Sequence, residues 1–179
     1  AERLALLGLT IRMLTEAGYR YIGMDHFALP GDELSRAQEH GTLQRNFQGY
    51  STHGACDMIG LGMSSIGRVG DAYVQNAKDI VGYYAALDAG RLPVARGLVL
   101  DADDRIRADA IQRIMCDGVI EVGAFEARHR IDFTVYFARE IVQLHALAGD
   151  GLIVLSPTRI GVTARGRLLL RGVAMCLDA

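Results

Sequence analysis

A chain of 179 residues, half of them apolar, 22% charged and with a formal net charge of −2, holds enough material for one domain of ordinary size or two small ones. That charge excludes a strong field for nucleic acid or for an anionic membrane surface. No apolar run is long enough to span a bilayer and no secretory leader is legible, so the expected setting is cytoplasmic. The chain opens at Ala1 already inside a helical pattern, which reads as a fragment. Cys56, Cys116 and Cys176 stand 60 residues apart. That spacing fits no zinc or cluster motif and reads as reduced, buried thiols. The basic residues are almost all Arg, with Lys78 the one lysine.

Taken in chain order, Leu4, Leu7, Ile11 and Leu14 recur at spacings of three and four and predict a helix, with Gly18 where its C-terminal cap belongs. Residues 19–24 read as a short strand, so the opening has the rhythm of an α/β layer. Pro30 and Gly31 break the chain, and Asp32 caps a short helix ending at Gly41. Residues 42–56 show no period and read as an extended polar loop around Asn46, Gln48, Tyr50, Thr52 and His53. Residues 58–66, apolar and rich in Gly, read as a second buried strand. Asp71 is the expected cap of a helix carrying Val74, Ala77, Val81 and Tyr84 on one face. Residues 92–100 read as a further extended piece, kept to an edge or made irregular by Pro93.

The composition changes near Asp101 and divides the chain into residues 1–100 and 101–179. In the second part Asp103 is expected to cap a helix with Ile106, Ala110 and Ile114 inward. Another helix buries Phe133, Phe137, Ile141 and Leu144, and Gly149 and Gly151 close it. Residues 152–162, turning about Ser156-Pro157-Thr158, read as a small β-hairpin. Thr163 caps a last helix running through Leu168 to Met175. Helix, helix, hairpin and helix resemble a winged-helix module, and the expected fold class is mixed α/β (α+β).

Several residues carry chemistry. Asp25 and His26 end the first strand, and a His beside a carboxylate can shuttle a proton. Neighbours on a strand point to opposite faces, however, so the two need not touch and a structural hydrogen bond is the plainer reading. Gly60, Gly62 and Gly67 match neither a dinucleotide fingerprint nor a P-loop; glycine there permits close approach of backbone to a neighbour or ligand. His40, His129 and His145 lack ligand spacing and read as surface or satisfied histidines. Arg159, Arg165, Arg167 and Arg171 surround the hairpin and last helix, where a winged helix grips DNA phosphates. Residues 101–179 carry 10 Arg against 11 Asp and Glu, a net −1, which disfavours a DNA-binding wing.

The strings themselves go further. Gly23-Met24-Asp25-His26-Phe27-Ala28, then Asp32-Glu33-Leu34 and Ala37-Gln38, resemble the oxygen-independent coproporphyrinogen III oxidase family. So do Arg45-Asn46-Phe47-Gln48-Gly49-Tyr50-Ser51-Thr52, Gly62-Met63-Ser64-Ser65-Ile66, Asp71-Ala72-Tyr73-Val74-Gln75-Asn76 and Thr163-Ala164-Arg165-Gly166-Arg167. The resemblance runs from end to end and is densest over residues 22–76. His53 departs from it, standing where one branch of the family carries Gln.

The resemblance implies a radical SAM enzyme about two and a half times this length. Its N-terminal part would form most of an incomplete (β/α) barrel and hold a 4Fe-4S cluster on a Cys-x-x-x-Cys-x-x-Cys motif, which this sequence does not contain. Residues 1–100 would supply the last elements of that barrel and residues 101–179 the helical, winged-helix-like domain that covers it. The implied reaction turns two propionates of coproporphyrinogen III into vinyl groups, by a deoxyadenosyl radical drawn from S-adenosyl-L-methionine at the reduced cluster; the electron donor and final acceptor stay unnamed. The family binds two SAM molecules, and Gln48 and Ile66 match its contacts to the second. No catalytic residue and no metal ligand is assigned to this chain, and the whole enzyme is expected to be a monomer without nucleic-acid or membrane partners. Two alternatives remain open: a tetrapyrrole-binding chaperone related to the family, and the winged-helix DNA binder.

Overall fold

The computed structural model describes residues 2–54 and 56–178, the side chain of Arg3 apart. The chain forms two compact units: one made of residues up to Gly54 and from Ile106 onward, the other of the stretch between them up to Arg105.

The first unit opens with α1 (Glu2–Glu16). It stops where expected, because Gly18 takes φ +89°. There the Gly18 N–H donates to the Thr15 carbonyl and the Tyr19 N–H to the Leu14 carbonyl, a turn that an L side chain resists. β1 (Arg20–Gly23) pairs antiparallel with β2 (His26–Ala28). α2 (Glu33–Glu39) follows, and the Asp32 carboxylate accepts from the Leu34 N–H at 2.9 Å, the expected cap. The expected polar loop is instead partly a hairpin, β3 (Gln44–Asn46) with β4 (Gly49–Ser51). Three-residue strands are too short for any period to register in the sequence.

The second unit differs more from expectation. Its sheet is β5 (Ile66–Val69), β6 (Ala72–Asn76) and β7 (Val94–Val99), in that order. Residues 58–66 are not a buried strand: apart from Ile66, which opens β5, Met58 makes one isolated bridge, to Arg68, and Ile59 and Leu61 are 77% and 84% exposed. Positive φ at Gly62 and Ser64 turns this piece, which its apolar composition concealed. Asp71 does not cap a helix. It lies in the tight turn between β5 and β6, and its carboxylate accepts from Arg105 at 3.2 Å. The cap of α3 (Ile80–Asp88) is Asp79, accepting from the Gly82 N–H at 2.6 Å. β7 lies at an edge as expected, just after Pro93.

α4 (Ala102–Asp117) leads back into the first unit. Its cap is Asp101 rather than Asp103. The Asp101 carboxylate accepts from the Asp104 N–H at 2.9 Å and that of Asp104 from the Asp101 N–H at 3.0 Å, a reciprocal box. Then come β8 (Val119–Glu121), α5 (Val122–His129), α6 (Phe133–Tyr136), α7 (Ala138–Gly149), β9 (Ile153–Leu155), β10 (Arg159–Val162), α8 (Ala164–Arg167) and α9 (Leu170–Met175). β9 and β10 are the expected hairpin about Ser156-Pro157-Thr158, and β10 also pairs with β8. Thr163 caps as expected, its hydroxyl accepting from the Gly166 N–H, although the last helix comes in two pieces. The result is a mixed, α+β fold with a winged-helix-like C-terminal part, and every described strand pair is antiparallel.

The core lies in the first unit. Phe125, Phe133 and Phe137 stack with Ile114, Leu144 and Ile160, each such burial contributing about 1.5–3 kcal/mol. A smaller cluster joins Ile22, Leu43, Tyr50 and Cys116. In the second unit Leu100 is the one buried large apolar side chain among the described residues.

Candidate functional site

Gln48 sits at the tip of the β3–β4 hairpin, whose shape is set by its neighbours. The Asn46 carboxamide oxygen accepts from the N–H of Gln48 at 2.8 Å and of Gly49 at 3.2 Å, which closes a two-residue loop. Gly49 has φ +140°, and a Cβ there would lie 2.7 Å from His26 Nε2, so glycine is required twice over. The base of the hairpin is tied down: Gln112 donates to the Gln44 side chain at 2.8 Å and to the Arg45 carbonyl at 3.2 Å. Tyr50, buried, donates to the Met115 carbonyl at 2.9 Å. An exposed amide is thus presented by a rigid support, able both to donate and to accept.

Asp25 and His26 do touch, Nδ1 to Oδ1, at 2.7 Å. The alternation argument fails because Asp25 is not on a strand; it occupies the turn after Met24, which takes φ +55°. The imidazole meets the Tyr50 ring edge-on at 5.1 Å between centroids. His26 therefore packs behind the hairpin that carries Gln48, while Asp25 stays in solvent.

Ile66 belongs to the second unit, at the first position of β5 beside the 60–65 turn. Asn76, buried, clamps that turn by donating to the carbonyls of Gly60 at 3.0 Å and Gly62 at 2.9 Å. The Gly62 N–H donates to the Tyr83 hydroxyl at 3.1 Å. A Cβ on Gly60 would stand 2.8 Å from Ser65 Cβ, and one on Gly67 would stand 2.6 Å from the Met58 carbonyl oxygen. These glycines serve close approach of backbone, as expected. Asn76 was not singled out from the sequence; a lone Asn at a strand end carries no signal until the carbonyls it serves are folded against it.

The other candidates are structural. His129 pairs with Asp109 at 2.7 Å, while His40, His53 and His145 are exposed. Arg159 pairs with Glu121 and Arg165 donates to the Asp150 carbonyl. The expectation of buried thiols holds for Cys116 and not for Cys56, which is exposed, with Cys176 between; burial pushes the Cys116 thiol up to about 12, away from the thiolate a metal needs. Among the described residues no group of three His, Cys, Asp or Glu is placed to hold a metal ion. These residues do not fit an iron–sulfur cluster. No described helix is long and apolar enough to cross a membrane.

Comparison with known proteins supplies the context for these pieces. Residues 100–169 match the HemN C-terminal domain family. The oxygen-independent coproporphyrinogen III oxidase of Pseudomonas aeruginosa is 50% identical over 177 residues, covering 99% of this chain and 38% of the relative. That of Escherichia coli is 44% identical over 177 residues, covering 99% of this chain and 39% of the relative. A solved structure, described as coproporphyrinogen III oxidase (HemN) from Escherichia coli, a radical SAM enzyme, superimposes with a TM-score of 0.92 at 44% identity over 98% of this chain and 41% of that one. The chain thus spans under two fifths of the length of these two curated relatives. On sequence and on fold together, the chain matches the C-terminal part of oxygen-independent coproporphyrinogen III oxidases over 98–99% of its own length.

Proposed function

We propose that this chain is the C-terminal part of a radical SAM oxidoreductase that oxidatively decarboxylates two propionates of coproporphyrinogen III, giving protoporphyrinogen IX for haem synthesis. The observation that carries the reading is a 44–50% identity that extends over 99% of the chain together with a superposition at a TM-score of 0.92. In this reading a 4Fe-4S cluster on residues outside this chain and two SAM molecules supply the radical chemistry, and the protein orients and shields it. Gln48 and Ile66 are this chain's contacts to the second SAM. A rigidly presented amide suits the amino-acid end of SAM, and an apolar side chain beside a clamped turn suits its uncharged parts. The division near residue 101, between the end of a barrel and a covering domain, belongs to the same reading; the family match from residue 100 supports it. A cytoplasmic monomer without nucleic-acid or membrane partners belongs to the reading too; the net charge of −2 supports the lack of those partners.

The test is anaerobic turnover of coproporphyrinogen III by the complete protein with SAM and a reductant, the products separated as porphyrins. Protoporphyrinogen IX is expected from the complete protein and none from the 179-residue chain by itself. Stoichiometric haem binding by the complete protein without decarboxylation would replace the oxidase with a tetrapyrrole chaperone.

A further inference from the structure

Arg167 is half-buried, and its guanidinium carbon lies 6.0 Å from the centroid of the Tyr21 ring. That ring is fixed from both ends: its hydroxyl donates to the Met24 carbonyl at 3.1 Å, and Phe27 packs on it at 5.2 Å. The root of Arg167 is fixed too. Gly166 sits so close to the Leu152 carbonyl that a Cβ would overlap it, and Thr163 caps the turn. Arg20, Arg107, Arg113, Arg128 and Arg159 each reach a carboxylate. Among the described residues none is paired with Arg167.

The guanidinium also borders open space. A shallow, open depression of about 470 Å³ on the first unit is lined by Arg167 with Arg20, Tyr19, Tyr21, Thr15 and Gln38, and by no acidic residue. Arg20 is balanced by Glu39 at 2.6 Å; on its other side Arg167 borders a second opening that includes Asp117, with which it forms no ion pair among the described residues. A guanidinium offers five N–H donors in a fixed fork suited to a carboxylate. An aromatic seat holds that fork in place without using its donors.

We propose that Arg167, seated on Tyr21, is a carboxylate-binding residue, and that its depression takes a propionate of the tetrapyrrole substrate. This deepens the function proposed above and rests on it for the identity of the ligand. The substrate named there carries propionate side chains, two of which survive the reaction, so the protein needs groups that grip carboxylates without consuming them. An inorganic oxyanion would use the same donors, and the experiment separates the two sources.

The complete protein is titrated with coproporphyrin III, the stable oxidised tetracarboxylate, with its tetramethyl ester and with inorganic phosphate, following porphyrin fluorescence. Arg167→Ala should weaken coproporphyrin binding about tenfold or more, and Arg167→Lys should weaken it less. The exposed Arg165→Ala should leave it unchanged, and the ester should not respond to Arg167→Ala. Coproporphyrin affinity unchanged in both Arg167 variants overturns the proposal, as does phosphate competing as well as the porphyrin. If Arg167→Ala fails to fold, as judged by thermal melting, Arg167→Lys decides alone. Turnover separates this from the parent reading. A wild-type protein that converts coproporphyrinogen while Arg167→Ala and Arg167→Lys both keep its KM sinks the inference and leaves the oxidase standing. A wild-type protein that binds the tetracarboxylate through Arg167 without converting it supports the site and sinks the oxidase.

Discussion

The Tyr50 hydroxyl donates to the Met115 carbonyl at 2.9 Å, joining residues 65 positions apart. The bond ties the hairpin that presents Gln48 to the C-terminal turn of α4, whose last carbonyls lack helical partners. Tyr50→Phe keeps the ring against His26 and removes only the donor. It should cost about 1–2 kcal/mol, read as a lower urea midpoint with an unchanged slope. No loss of stability would show that the carbonyl finds another donor and that the ring alone holds the hairpin.

The same buried corner sets a response to pH. Burial, helped by the neighbouring Cys116, pushes the Tyr50 phenol above its ordinary range despite the opposing pull of Arg45 and Arg167. Burial, helped by Asp117, pushes the Cys116 thiol up to about 12 against the pull of Arg113. Above pH 9.0, the ordinary value of a thiol, the unfolded chain releases protons that the folded chain keeps. Stability therefore falls with rising pH. The contribution is whole below pH 9.0, and the Cys116 part drains away between 9.0 and about 12. The Tyr50 part begins to go above 10.0. Urea midpoints across the alkaline range should drop for the wild type and drop less for Cys116→Ala. A flat profile for the wild type would sink the assignment.

Asn76 is a test of the turn beside Ile66. Its amide is the donor to two carbonyls, Gly60 and Gly62, in a unit with little apolar core to compensate. Asn76→Ala should loosen residues 60–65 by about 1–3 kcal/mol and speed amide exchange at Gly62 and Ser64 before any global unfolding. Under the proposed contact of Ile66 to SAM, it should also weaken SAM binding by the complete protein in equilibrium dialysis, because Ile66 follows directly on that turn. Exchange rates indistinguishable from wild type would remove Asn76 from this role.

What was legible in the sequence follows from where each element draws its order. Caps are local chemistry, so Gly18, Asp32 and Thr163 were readable: each works through groups a few residues away. The inward faces of α4 and α7 are readable because Ile106, Ala110 and Ile114 on the one and Ile141 and Leu144 on the other recur at helical spacing. The β3–β4 hairpin was not, since its strands are three residues long and its order comes from Met115 and Gln112, over 60 residues on. The 58–66 segment mimics a strand in sequence because apolar residues at a turn look like those of a strand until Asn76 is folded against them. Asp71 was misread because an Asp before Ala-Tyr-Val suits a tight turn as well as a cap. Gln48 and Ile66 are legible through resemblance alone; an exposed amide and a strand-start isoleucine carry no chemistry that spacing reveals.

The second unit makes the last prediction. Val81 on α3 and Leu98 and Val99 on β7 are more than half exposed, as are Ile59 and Leu61, and β7 is the edge of its sheet with one row of backbone groups unpaired. An edge strand with apolar side chains on view templates further pairing, and exposed apolar surface on this scale marks an interaction face. The 179-residue chain expressed by itself should therefore self-associate with rising concentration and bind an apolar dye. Val99→Lys should reduce both effects, since a charge on the edge disfavours strand addition, while leaving the thermal transition in place. Light scattering that reports a monomer at every concentration, with no dye binding, would show that this face is quiet in isolation.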